Sequence, residues 1–211
     1  MGRVVSELVI LDFDGTILNT EQFKAVQNEF WNTTLARETV EKLNECVQAY
    51  RQGEAKVFSP NQQMSDSEWE QTKLHAREHV PELLFPDATE FIKGIDADTM
   101  EAIILTFGNE EFQKMKILAS ELSLPVIYTG NRNKAAEIAS WWRDGFYVVN
   151  DGKFSKIVLI DDRQHSFDDF GALSNARGFL LNREGSTQEI GAGDLPKNVK
   201  NVQSFREIVL Q

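Results

Sequence analysis

Leu8-Val9-Ile10-Leu11-Asp12-Phe13-Asp14-Gly15-Thr16-Ile17-Leu18 is the stretch that decides the architecture of this 211-residue chain. Its four leading apolar residues read as a strand buried on both faces, the pattern of a parallel sheet covered by helices. The strand then delivers two carboxylates, one residue apart, to a Gly-Thr turn. Buried carboxylates are costly unless a metal ion or hydrogen-bond donors compensate their charge, and close together in low dielectric they resist simultaneous ionisation. Side chains alternate along a strand, but this strand is ending. A backbone turn at Gly15 therefore lets Asp12 and Asp14 face one pocket. That geometry suits a nucleophile beside a proton carrier.

Downstream the periodicity changes. Phe23, Val26, Gln27 and Phe30 share one helical face, and Val40, Leu43, Val47 and Tyr50 repeat the spacing. Residues 51–64, with Gly53 and Pro60, read as a connection, and Ser65 or Ser67 opens a third helix toward Leu84. From Pro86 onward strands and helices alternate: helix 89–95, strand 102–107, helix 110–122, strand 126–128, helix 134–142, strand 157–160, helix 167–174 and strand 178–181. Asn150-Asp151-Gly152 suggests a hairpin between 146–149 and 153–160. The expected fold is α/β, a Rossmann-like three-layer core with a parallel sheet plus a small α-helical cap. The core takes residues 1–18 and 86–211, and the cap takes 19–85. Right-handed crossovers in such a sheet gather functional groups beyond the strands' C-terminal ends.

Three further segments end at that rim. Ile103-Ile104-Leu105-Thr106-Phe107-Gly108-Asn109 is an apolar strand closing on a hydroxyl and a Gly-Asn turn. Lys134 opens the helical run Ala135–Ala139 after Gly130-Asn131-Arg132-Asn133. A cation there opposes the helix dipole, so either the ammonium and helix end together hold an anion or the lysine is simply solvated, with Lys114, Lys116 and Arg132 as competing cations. Ile157-Val158-Leu159-Ile160-Asp161-Asp162 is another apolar run ending in two acids. Asp168 and Asp169 follow on a predicted helix and read as ordinary exposed acids.

The D-x-D-G-T pattern after an apolar strand resembles the first motif of the haloacid dehalogenase-like (HAD) phosphohydrolases. The three later segments match that family's second, third and fourth motifs in order, from Asp12 to Asp162. The resemblance implies that Asp12 attacks phosphorus, while Asp14 protonates the leaving oxygen and later activates water. Thr106 and Lys134 would bind the phosphoryl group. Mg2+ would be held by Asp12, the backbone carbonyl of Asp14 and Asp161, with Asp162 acting through water or as partner of Lys134. Two positions depart from the pattern. Phe107-Gly108 separates Asn109 from the hydroxyl residue, which leaves Asn109 without a transferred role, and Asn19-Thr20-Glu21 carries Asn where capped members carry Asp.

Haloalkanoic-acid dehalogenases of the superfamily lack the second acid and need no magnesium, so Asp14 favours phosphoryl transfer. The expected function is a Mg2+-dependent phosphatase hydrolysing a small phosphomonoester through an aspartyl-phosphate. The alternatives are a phosphomutase, a phosphonatase drawing a Schiff-base lysine from Lys24, Lys42, Lys56 or Lys73, and a silent module binding a phospholigand or a protein.

Twenty-two basic against 33 acidic residues give a net charge of −11. Dense lysine and arginine are what bind nucleic acid and anionic membrane, so neither is expected as a partner. The expected partner is a small phosphorylated metabolite, and the chain is expected to be a monomer or homodimer. Cys46 is the single cysteine, which with the lack of a long apolar stretch or a signal-cleavage pattern points to the cytoplasm. Gly2 and Ser6 fit the loose myristoylation pattern, but the first strand starts immediately after them. His75 and His79 stand four apart on a helix, close enough to chelate, yet no H-E-x-x-H pattern accompanies them and no zinc site is expected.

Overall fold

In a computed structural model, which describes residues 4–183 and 194–210 and so leaves Gly2 outside, the apolar runs become neighbouring strands of one sheet. In chain order these are β1 (Val4–Leu11), β2 (Met100–Phe107), β3 (Val126–Thr129), β4 (Trp142–Arg143), β5 (Phe146–Val149), β6 (Gly152–Asp161), β7 (Ala176–Leu181) and β8 (Val199–Val202). β1 is central and pairs parallel with β2 on one side and β6 on the other. β3 lies beyond β2, and β7 and β8 continue the parallel order beyond β6. Leu8–Leu11 and Ile157–Ile160 are wholly buried, as two-face burial requires. The core around Leu8, Ile10, Leu105, Ile157, Leu159 and Phe167 follows from that burial.

β6 is long enough to serve two partners. Its first residues pair antiparallel with β5 across a turn in which Asn150 takes φ +50°, and its second half pairs parallel with β7. The predicted hairpin arm and main strand are thus one continuous element.

Two expected helices need correction. The helix expected over 134–142 is α6 (Lys134–Ala139), and Trp142 belongs instead to β4, packed edge-on against Tyr147 at 4.7 Å. The helix expected over 167–174 does not form. Two short 3-10 turns, Gln164–Phe167 and Phe170–Ala172, stand there with Asp169 at φ +63° between them. Phe167 and Phe170 imitate a helical stripe because both are buried three residues apart, but a left-handed residue breaks the run. Asp168 and Asp169 therefore sit between turns rather than on a helix. β8 escaped the sequence reading because four residues with a Lys-Asn centre carry little strand signal.

The chain divides into two compact units. The first is Met1–Ile17, Phe85–Thr106 and Leu124–Gln211, and contains the sheet with α4 (Pro86–Lys93) and α6. The second is Leu18–Leu84 with Phe107–Ser123, and is helical: α1 (Thr20–Thr34), α2 (Arg37–Arg51), α3 (Asp66–His79) and α5 (Glu110–Ala119). The sequence reading gave α5 to the core, but its apolar face groups with the helices. Phe112 meets Phe58 edge-on at 5.6 Å and Phe23 at 6.2 Å, and buried Lys116 lies 5.1 Å from the Phe112 ring centroid. Trp31, Leu35 and Leu43 complete this second core. Asn19 caps α1, and a Ser65/Glu68 capping box opens α3, where hydrogen bonds from Ser65 hold the Glu68 carboxyl down to about 2. Among the described residues no helix is long and apolar enough to cross a membrane.

Candidate active site

The parallel pairing of β1 with β6 brings two acids together directly. Leu11 registers with Ile160, and the Asp12 amide donates to the Ile160 carbonyl at 2.9 Å, so Asp12 and Asp161 stand side by side where the strands end. Both are buried. Between them comes Lys134, also buried, whose ammonium pairs with Asp12 Oδ1 and with Asp161 Oδ2 at 2.7 Å. Its helix starts there because the Asn133 side chain accepts the Ala136 amide. The cation that opposes its own helix dipole is thus buried between two carboxylates rather than solvated.

Asp162 adds a third acid. One carboxylate oxygen from each of Asp12, Asp161 and Asp162 lies within 4.8 Å of the others. Asp14, half-buried two residues past Asp12, stands outside that group. Thr106 is the next-to-last residue of β2, at the same rim, and its hydroxyl is buried with no hydrogen-bond partner among the described residues. An orphaned buried hydroxyl is expensive unless a ligand completes it.

The electrostatics follow from this crowding. Burial pushes the Asp12 carboxyl up to about 6 against the pull of Lys134, with Asp161 and Asp14 adding to the rise. Burial, then Asp12 and Asp161, drive Asp162 well above the ordinary carboxylate range. Burial alone would lower Lys134, but Asp12 and Asp161 outweigh it and hold the ammonium above its usual value. Three carboxylates lie within 4.8 Å of one another, two of them pair with the one enclosed ammonium, and Arg163 lies 4.0 Å from Asp162. The deficit of positive charge and the all-oxygen donor set fit a hard divalent cation such as Mg2+.

Residues outside the strand-end pattern support this geometry. The Arg163 amide donates to Asp161 Oδ1 at 2.8 Å, which orients that carboxylate. Arg183 stacks 3.7 Å from the Phe85 ring centroid and donates to the Thr16 carbonyl and to Asp87, which also accepts from Ser204 and the Phe205 amide. No local motif announces Arg183, because its partners lie far away in sequence. Gly15 takes φ +81°, and a Cβ there would stand 2.0 Å from Asp162 Oδ2. Gly15→Ala is therefore expected to cost at least about 1 kcal/mol in urea unfolding and to weaken Mg2+ binding measured calorimetrically. Unchanged values in both would contradict the contact.

A family model for haloacid dehalogenase-like hydrolases matches residues 7–139. No curated protein sequence matches the chain significantly. A haloacid dehalogenase-like hydrolase from Burkholderia xenovorans shares 12% identity over 96% of this chain and 94% of its own, with a TM-score of 0.67. The HAD-hydrolase YfnB of Bacillus subtilis, bound to magnesium, shares 13% over 96% of each chain with a TM-score of 0.54. A dehalogenase with an intermediate complex shares 15% over 97% of this chain and 96% of its own, with a TM-score of 0.52. At such identities the structural likeness speaks for the fold, while the family model covers more than half of the sequence, including the first strand end, Thr106 and Lys134. The chain belongs to the haloacid dehalogenase-like hydrolases.

Proposed function

We propose that this hydrolase is a Mg2+-dependent phosphatase that cleaves a small phosphomonoester through an aspartyl-phosphate at Asp12. The observation that carries the reading is the acid cluster beside a buried cation: Asp12 and Asp161 pair with Lys134, one carboxylate oxygen each of Asp12, Asp161 and Asp162 lies within 4.8 Å of the others, and Asp14 adds a second acid next to Asp12 that raises its pKa. A dehalogenase needs only the nucleophile, so Asp14 favours phosphoryl transfer over the dehalogenase reading.

Asp12 Oδ attacks phosphorus, and the bond to the leaving oxygen breaks as Asp14 delivers a proton to it. Asp14 then removes a proton from water, which attacks the same phosphorus and breaks the Asp12–phosphorus bond, releasing inorganic phosphate. Lys134 holds Asp12 in place and lessens repulsion between carboxylate and phosphate. The orphaned Thr106 hydroxyl donates to a phosphoryl oxygen. Asp12, Asp161 and the Asp14 carbonyl would hold Mg2+, with Asp162 acting through water or on Lys134, and the bound ion would supply charge neutralisation between the two anions. Choice of substrate is assigned to the helical insert that follows the first strand end. The lone cysteine supports action in a reducing compartment, the cytoplasm.

The test is hydrolysis of an aryl phosphate and a phosphometabolite panel, with and without Mg2+. Asp14→Asn is expected to lower turnover by about 10²–10⁴-fold with Mg2+ affinity retained, whereas Asp161→Asn loses that affinity. Wild-type inactivity across the panel, or equal loss of metal binding in both variants, would overturn the assignment. Consumption of substrate without net phosphate release would mark a transferase instead.

A further inference from the structure

α3 ends on His75-Ala76-Arg77-Glu78-His79. Residues three and four apart share a helix face, and one ligand atom from each of His75, Glu78 and His79 lies within 4.8 Å of the others. The H-E-x-x-H order is absent, but the order present here puts a carboxylate on the same face as both imidazoles.

Four further features favour a cation at this place. The two imidazole rings lie 4.2 Å apart, and Phe30 of α1 stacks on His75 at 4.2 Å and 10°, which fixes that ring plane. His79 Nδ1 is 3.0 Å from the His75 carbonyl oxygen. An N–H donating there leaves the basic lone pair on Nε2, the backbone-carbonyl arrangement that orients metal-ligating histidines. His75 Nε2 is itself buried with no hydrogen-bond partner among the described residues. Finally, His79 is the last residue of a 14-residue helix, where the negative end of the dipole favours positive charge.

We propose that His75, Glu78 and His79 form a second metal site, one for a late first-row divalent ion of the zinc class, with water completing a tetrahedral shell. Two imidazoles and a carboxylate suit zinc. Mg2+ demands octahedral oxygen ligands, so the two sites sort their ions by donor chemistry. Zinc bound here stabilises the helical unit, because the unfolded chain has no such preformed cluster.

The experiment is calorimetric titration of ZnCl2 into the full-length Cys46→Ser chain, which removes the thiol, in excess Mg2+. One saturable site is expected. His79→Ala and Glu78→Gln should each weaken it roughly tenfold or more, and Asp161→Asn should leave it unchanged. Zinc should raise the thermal midpoint of the Cys46→Ser chain and not that of the His79→Ala variant. Glu78 is exposed, so Glu78→Gln retains the fold, checked by circular dichroism. Absence of saturable binding, affinity in Glu78→Gln and His79→Ala unchanged from the Cys46→Ser parent, or loss of zinc only with Asp161→Asn would overturn the site. None of these outcomes depends on phosphatase activity.

Discussion

Asp12→Asn is expected to lower aryl phosphate hydrolysis by at least about 10⁴-fold, some 5–6 kcal/mol of transition-state stabilisation, while the protein stays folded. The amide keeps the size of the carboxylate and retains an oxygen that can accept from the Lys134 ammonium, so the arrangement around Asp161 is preserved. What it loses is the anionic oxygen that bonds to phosphorus, and no neighbour can replace it. Asp161 is oriented away from that task by its hydrogen bonds to Lys134 and the Arg163 amide, and Asp14 is needed to carry protons. Steady-state kcat/KM with inorganic phosphate as the readout measures the effect. A variant within tenfold of wild type would place the nucleophile elsewhere and remove the aspartyl-phosphate from the proposal.

The parts of this site that were legible in the sequence are those in which local pattern and global fold agree. Leu8–Leu11 and Ile157–Ile160 are apolar runs because both faces of their strands are covered, and each run ends in acid where the sheet ends. Asp12 and Asp161 were therefore visible as strand ends before any coordinates. Lys134 was visible as an anomaly, a cation at the wrong end of a helix, although nothing local showed that two carboxylates enclose it. The sequence misled where a short period imitates another structure. Phe167 and Phe170 look helical only until Asp169 turns left-handed between them. Arg183 and the contact between Gly15 and Asp162 were invisible, since they join residues 167 and 147 positions apart with no periodic signature. Glu78 has no place in the H-E-x-x-H order, and only the helix face puts it beside both imidazoles.

In metal-free protein, Lys134→Met is expected to cost about 3–5 kcal/mol of stability at pH 7.5, since breaking a buried pair strands the opposing charge. The lysine here faces two buried carboxylates. The penalty should shrink as the pH falls toward 5, against the usual behaviour of a salt-bridged acid. Asp12 has a folded pKa of about 6, raised above its ordinary 3.8 chiefly by burial and opposed by Lys134. Between those values the folded chain holds a proton that the unfolded chain has released, so stability climbs as pH falls through that window. Removing the ammonium takes away the main influence holding the Asp12 pKa down, and widens the window upward. Lys134 itself titrates above 10.5, so its own protonation does not change between pH 5 and 7.5. Urea unfolding of both proteins in chelator at the two pH values isolates the effect, because titrations common to both, such as those of His75 and Glu68, cancel in the difference. Mg2+ should recover part of the loss at pH 7.5 by supplying the missing positive charge among Asp12, Asp161 and Asp162. A penalty as large at pH 5 as at pH 7.5 would mean that Lys134 stabilises the fold by packing rather than by compensating ionised carboxylates, and the electrostatic account of the site would fall with it.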